Sequence, residues 1–518
     1  MTMQNSCRVT GILMCAIGLV GMGSSVTGNA ADLLEADIPT LLRAQAQGDL
    51  SCEQLARSTL DRIKRLDPKL KAFITINPRM LEDAHALDER RRVGDVRPLH
   101  CVPIAFKDNI DVRGMPTTGG SVLFRNNMPR ADSEIARRLR AAGALLVGKA
   151  NLDEFAVSGS TISSLGGQTL NPYDVRRFAA GSSGGPAVAV ATGMAACAIG
   201  SETVNSLRNA ASSAGVVAVR TSHGAISRRG VIPQSSTMDV VGPICRSVAD
   251  TIQILNIIEG RDQLDPATTA FEGLAAPIAT ALQPIVLKGV RVGILENLFG
   301  TGPEHQAVNE VVHTALTKLR ALGLETVNID DVSFDSERSS KNLNVANYEF
   351  RPLFEAYLAQ IKPVPGVATL QEYYNAKKFP STMQSFLKNA VSWKAPLQMD
   401  GYRQSLKKGE ALRKRILGLM DDYKLDALVY PSQKRPPLRI DEARRPERNG
   451  VFASAIGFPA IDLPAGFTPR ELKSPQGLPI GLDILGKPGQ DARLLGIAMS
   501  IEQVLDARRP PPLSKDDN

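Results

Sequence analysis

The chain has 518 residues, of which 43% are hydrophobic and 22% charged, with a formal net charge of +8. This is the composition of an ordinary globular protein, long enough for a sizeable core in one large or two ordinary domains. The basic residues are scattered. The densest runs, Arg90-Arg91-Arg92 and Arg444-Arg445, stand among acids and read as solvated faces, so no nucleic-acid partner is expected.

Residues 1–30 read as a targeting segment. Arg8 gives a positive start, Gly11 to Met22 is a short apolar run, and Gly28-Asn29-Ala30 is a small-residue cleavage site. The run is shorter than the roughly 20 apolar residues that span a bilayer. The expectation is therefore an exported chain, periplasmic or secreted, with no stable membrane insertion of the mature form. Cys52, Cys101, Cys197 and Cys245 remain after cleavage. They are too few for a disulfide framework, and either buried thiols or pairs formed outside the cytoplasm would fit. No CxxC or HExxH spacing occurs and the five histidines lie far apart, so neither a metal site nor another cofactor is expected.

In chain order, Leu33 to Pro68 has helical spacing, Ala72 to Ile76 is a short strand, and Met80 to Val93 is a charged helix. Cys101 to Phe106 reads as a buried strand that delivers Lys107-Asp108-Asn109. A helix from Ser133 to Ala142 and a strand from Ala144 to Gly148 follow. Next comes the Gly/Ser loop Gly181-Ser182-Ser183-Gly184-Gly185, whose glycines allow close backbone approach. It leads into Pro186 to Gly200, apolar on every face and read as one buried helix. A second polar turn, Ser201-Glu202-Thr203-Val204-Asn205-Ser206, puts another serine 24 positions after Ser182. Two hydroxyl-rich turns flanking one buried element can converge into a site.

Beyond Pro243, a helix from Ser247 to Glu259 and a strand from Val290 to Leu295 precede a stretch, about 296–421, of long helices rich in aromatics. Tyr348, Phe350, Phe354, Tyr357, Tyr373, Tyr374, Phe379, Phe386 and Trp393 fall there. They pack a helical insertion or line a site for an apolar or extended ligand. Strands return at Leu425 to Tyr430, Ala460 to Leu463 and Ile480 to Leu485, and 506–518 reads as a disordered tail. Alternating helices and apolar strands, closed by distant segments, predict a single α/β domain over 31–505 with a mixed, mostly parallel sheet surrounded by helices.

Three segments carry a family resemblance: Pro103-Ile104-Ala105-Phe106-Lys107-Asp108-Asn109-Ile110-Asp111, Gly181-Ser182-Ser183-Gly184-Gly185 and Ser206-Leu207-Arg208. They resemble the signature segments of the amidase signature family. Gly148 to Phe155, Gly230-Val231-Ile232-Pro233, Asp239 to Pro243, Leu463 to Phe467 and Gly477 to Leu482 match in the same order. The resemblance implies a hydrolase of carboxamide C–N bonds with Ser206 as the acylated nucleophile. Ser182 would be a bridging serine after a cis peptide and Lys107 the base. The backbone N–H groups of Thr203, Val204 and Asn205 would form the oxyanion hole. Ser183, Glu202 and Arg208 would support the site. The chemistry is coherent: a free lysine, pKa about 10.4, is protonated at neutral pH, so a basic Lys107 must be depressed by burial. A serine between lysine and nucleophile spans a gap that one hydrogen bond cannot.

The chain departs from that pattern at Val204-Asn205, which stand where the family typically has Gly-Gly. If the turn needs positive φ, a β-branched valine is strained there by on the order of 1–2 kcal/mol. Glu202 replaces the usual aspartate, a change that can still pair with Arg208. Ala210 and Thr221 stand where prolines are common. A narrowed substrate range follows, and a non-catalytic or strongly altered protein on the same scaffold stays open. Gly181-Ser182-Ser183-Gly184-Gly185 also satisfies a nucleophile elbow centred on Ser183. That fold wants a preceding strand and a late histidine, whereas the preceding segment is polar and the last histidine is His313. Membership in a tRNA-dependent amidotransferase complex shares the resemblance but conflicts with export. The expected partner is a small-molecule or peptide amide, and a homodimer is left open.

Overall fold

The computed structural model describes residues 32–271, 283–442, 447–471 and 474–512. The targeting segment, the Arg444-Arg445 run and the tail from Leu513 lie outside the described residues.

Its centre is an eleven-stranded sheet. The strands are β1 (Phe73–Ile76), β2 (Pro103–Lys107), β3 (Leu145–Ala150), β4 (Cys197–Glu202), β5 (Val217–Arg220), β6 (Val240–Cys245), β7 (Arg291–Leu295), β8 (Glu325–Ile329), β9 (Ala427–Pro431), β10 (Ala460–Phe467) and β11 (Pro479–Leu485). They lie in the order β1-β3-β2-β4-β6-β5-β10-β11-β9-β7-β8. The sheet is mixed. Parallel pairing joins β3, β2 and β4 on one side and β9, β7 and β8 on the other. Antiparallel pairs link them through the middle and hold β1 at its edge. Central strands such as β2, β4 and β6 are buried at every position. That matches their continuous apolar runs, since helices cover both faces.

The segment read as one helix from Pro186 to Gly200 is instead a short helix, Gly184–Ala191, followed by β4. Gly193, with φ of 67°, turns the chain between them. Helix out and strand back is what returns Ser201–Ser206 to the Gly/Ser loop. Composition could not separate the two, because a short buried strand and a buried helix carry the same Ala/Val/Ile residues. The insertion also begins later than expected. β8 falls inside 296–421 and pairs in parallel with β7. Its Glu325, Thr326 and Asn328 reflect an edge position, where one face stays wet. From Ser336 to Asp422 the chain is helical.

Four of the nine named insertion aromatics, Phe350, Phe354, Tyr357 and Tyr373, are buried, and the other five are half-buried. Phe350, Phe354 and Tyr373 are fully buried with Phe124 and Phe155. The Phe155 ring lies 5.0 Å from Phe354 and 5.3 Å from Tyr373, edge to face. This ties the insertion to the loop after β3. The tail is ordered further than expected. The Tyr173 hydroxyl donates to the Arg509 carbonyl at 2.5 Å, Arg509 lies over the Phe467 ring, and Pro511 is buried.

Among the described residues the four cysteines are fully buried and paired. Cys197 and Cys245 face each other across β4 and β6, with Cα atoms 4.4 Å apart, and form a disulfide. Cys52, at the start of helix Cys52–Leu70, bonds Cys101 just before β2, with Cα atoms 5.5 Å apart. Among the described residues no helix is long and apolar enough to cross a membrane.

Candidate active site

The ends of β2 and β4 lie side by side, because Phe106 is in register with Ile199. Lys107 therefore projects from β2 beside Ser201. Its Nζ donates to Ser182 Oγ at 2.7 Å, to Ser201 Oγ at 2.9 Å and to the Ser201 carbonyl at 3.0 Å. The side chain is fully buried, and burial pulls its pKa down to about 7 against the opposing charges of Asp153, Asp239 and Glu202. A lysine at that value is neutral in a large fraction of molecules at physiological pH, which makes it competent to accept a proton.

The Gly181-Ser182 peptide is cis. The turn around it is held from three sides. Ser183 N–H donates to the Ser206 carbonyl at 3.2 Å and Asp153 N–H to the Ser182 carbonyl at 3.3 Å. Asn209 Nδ2 donates to the Gly181 carbonyl at 3.4 Å. Gly185 must lack a side chain here, since a Cβ would collide with the carbonyls of Asn151 and Ala72. Ser182 and Ser206 are thus in adjoining backbone segments, and both are buried. Among the described residues, the Ser206 hydroxyl makes no hydrogen bond, whereas the Ser183 hydroxyl donates to the Ser201 carbonyl at 3.1 Å. Among the described residues no strand runs into this loop, so Ser183 does not sit on a nucleophile elbow.

The turn Thr203–Ser206 is fixed by buried charge. Glu202 Oε2 accepts from the N–H groups of Leu207 (3.1 Å) and Arg208 (3.3 Å), where helix Arg208–Ala214 begins. Arg208 donates to Glu202 from both Nε and Nη2, reaches Asp483 Oδ2 at 2.7 Å, and donates to the Gly450 carbonyl at 2.7 Å. Arg220 approaches Glu202 at 3.3 Å. Burial pushes the Glu202 carboxyl up, but Arg208 and Arg220 outweigh it and hold it below its ordinary value. Among the described residues, the N–H groups of Val204, Asn205 and Ser206 donate to no protein acceptor. Three donors in one turn can face a developing oxyanion.

The strain anticipated at Val204 does not arise. Neither Val204 nor Asn205 has positive φ. Val204 packs on the hydrophobic cluster containing Leu295, Phe334 and Phe452, and its carbonyl accepts from the Ser454 hydroxyl. Asn205 is buried, and its Oδ1 accepts from Arg448 Nη1 at 3.2 Å.

Several contributors had no role assigned from the sequence. Ser201 is the second hydroxyl on Lys107, and its Oγ also accepts from Asn109 at 3.0 Å. Asp153 closes the loop after β3 by accepting from the N–H groups of Ser160 and Ile162, and burial raises its pKa to about 6. Lys149 and Asp108 form a fully buried ion pair at 3.0 Å beside the site. Lys149 and Asp153 lie in the matched Gly148–Phe155 segment, Asp108 in the Pro103–Asp111 segment and Ser201 in the hydroxyl-rich turn, which marks their neighbourhood but not their partners. A cavity of about 670 Å³ reaches this network. Asn109, Ser201 and Thr203 line it, with apolar walls from Ile232, Leu353 and Tyr357. Elsewhere, Glu304, His305 and Glu447 come together, but His305 already accepts the Gly302 N–H on Nδ1 and meets Glu447 with Nε2.

The sequence model of the amidase family matches residues 54–495. The chain is 33% identical over 496 residues to a glutamyl-tRNA(Gln) amidotransferase A subunit from Synechococcus, covering 92% of this chain and 93% of that protein. Its counterpart in Moorella thermoacetica is 32% identical, with 90% and 95% covered. Among solved structures, the native peptide amidase of Stenotrophomonas maltophilia superposes with a TM-score of 0.84 at 32% identity, covering 93% of this chain and 99% of that one. The glutamyl-tRNA(Gln) amidotransferase A subunit of Thermotoga maritima gives 0.70 at 26% identity, with 93% and 97% covered.

Proposed function

This chain belongs to the amidase family and is an amide-cleaving enzyme, and we propose that it hydrolyses its substrate through an acyl-enzyme on Ser206. Neutral Lys107 takes the Ser182 proton as Ser182 takes the proton of Ser206. Ser206 Oγ then attacks the carboxamide carbon. The tetrahedral oxyanion is met by the unengaged backbone N–H groups of Val204 and Asn205, with that of Ser206 beside them. Collapse breaks the C–N bond, and the relayed proton leaves on the amine. Water then attacks the ester by the reverse relay, releasing the carboxylic acid and restoring Ser206. The observation that carries this reading is the buried Lys107, its pKa brought down to about 7 and its Nζ 2.7 Å from Ser182 Oγ.

The substrate is a small-molecule or peptide amide. The better superposition on a peptide amidase than on an amidotransferase component, 0.84 against 0.70, supports a self-contained hydrolase. The chain works outside the cytoplasm, which the Gly11–Met22 apolar run and the two cysteine pairs support, since disulfides persist in oxidising compartments.

A serine-directed fluorophosphonate followed by peptide mapping tests the nucleophile. Label on Ser206, lost in Ser206→Ala, is the expected result. Label on Ser183 with Ser206 untouched would refute the assignment.

A further inference from the structure

Asn205 immediately precedes the proposed nucleophile and is only 1% exposed. Its two amide ends are treated unequally. Oδ1 is held by Arg448 Nη1 at 3.2 Å, and the same Nη1 donates to the Ser158 carbonyl at 3.3 Å. Nδ2 is buried and has no acceptor among the described residues. The surroundings are shaped around this side chain. A Cβ on Gly450 would collide with the Asn205 Cβ, and a Cβ on Gly159 would collide with the Arg448 guanidinium. A glycine on each side therefore admits the Asn205–Arg448 bridge.

Arg448 can bond only the oxygen of the amide, because a guanidinium has no acceptor. That fixes which edge of the planar group faces the strap carrying Arg448 and leaves both N–H bonds on the other edge. A buried donor without a partner is costly and calls for a functional explanation. The substrate joined to the adjacent Ser206 is the group that can supply an acceptor.

Resting on the acyl-enzyme reading above, we infer that Asn205 is a specificity-determining residue. Its Nδ2 donates to a second acceptor of the substrate, a carbonyl beside the scissile carboxamide. Arg448 is the positioning residue that orients it. The enzyme then favours amides of acylated amino acids and peptides over plain alkyl amides, because a site built to donate to a carbonyl rejects the analogue that lacks it.

The matched pair N-acetyl-leucinamide and isocaproamide tests this, since they differ only by the acetamido group. Wild-type enzyme should prefer the former in kcat/KM. Asn205→Gly and the isosteric Asn205→Asp should each reduce that preference about tenfold, mainly through KM. Asn205→Asp keeps an oxygen for Arg448, and thermal melting of both variants confirms that they are folded. Wild-type enzyme that cleaves the two amides equally, or a preference unchanged in both variants, would overturn the inference while leaving the acyl-enzyme reading intact. Wild-type enzyme that cleaves neither, with no fluorophosphonate label on Ser206, would remove both.

Discussion

Lys107 Nζ lies 2.7 Å from Ser182 Oγ in a position with no solvent exposure. The distance and the dryness act together, because burial that makes the lysine a base also forces its proton onto a defined partner. With Lys107 brought to about 7, kcat/KM on an accepted amide should rise through that pH and level off above it. Lys107→Ala should lose about 10²–10⁴-fold. Stability carries the same signature. Between about 7 and the ordinary value of 10.5 the unfolded chain binds more protons than the folded one, so stability gains as pH rises through that window. Lys107→Met should flatten this dependence in thermal melts.

Removing Glu202 strands buried cations. Glu202→Ala leaves Arg220 and one face of Arg208 without a carboxylate and uncaps helix Arg208–Ala214. A loss of about 3–5 kcal/mol in urea denaturation is expected, with kcat falling as the turn loosens. Because Glu202 is held below its ordinary 4.5, its contribution is fully present above that value and fades as pH drops below it.

Asp462 and Asp483 face each other across β10 and β11. Asp483 has Arg208, whereas Asp462 accepts from the Ser432 hydroxyl and burial beside Asp483 drives its pKa well up. Burial raises Asp483 as well, to about 7 in spite of Arg208, so the pair holds protons that the unfolded carboxyls give up. As pH rises above 3.8 the unfolded chain ionises first, which costs the wild type stability. Asp462→Asn should match wild type in mild acid and gain on it in mild alkali.

Val204→Gly should not relieve strain, because Val204 has no positive φ. It removes an apolar contact to the Leu295–Phe452 cluster and adds backbone freedom, for a cost of roughly 1–2 kcal/mol. Denaturation midpoints and kcat measured together check this. A gain in activity with unchanged stability would contradict it.

Export predicts a mature chain beginning at Ala31, read by N-terminal sequencing of the extracytoplasmic fraction. The same material, alkylated without reduction and then digested, should yield Cys52 linked to Cys101 and Cys197 linked to Cys245. Free thiols at all four positions would contradict both disulfides.

Much was legible in the residues themselves. Short-range features depend on local chemistry, so the apolar run before Lys107, the Gly/Ser loop and the hydroxyl-rich turn all reported their positions directly. Buried strands and helices did not separate where they shared one composition, as in Gly184–Glu202, and the polar face of an edge strand hid β8. Long-range pairing was beyond reach altogether. The meeting of Arg208 with Asp483, of Lys149 with Asp108 and of Asn205 with Arg448 depends on sheet order and loop closure. So does the depressed pKa of Lys107, since dryness belongs to the packed molecule and not to the strand that carries it. The sequence alone determined which side chains could do chemistry. The tertiary structure decided which of them lost their water and met, because desolvation and contact between residues far apart in the chain exist only once the core has closed.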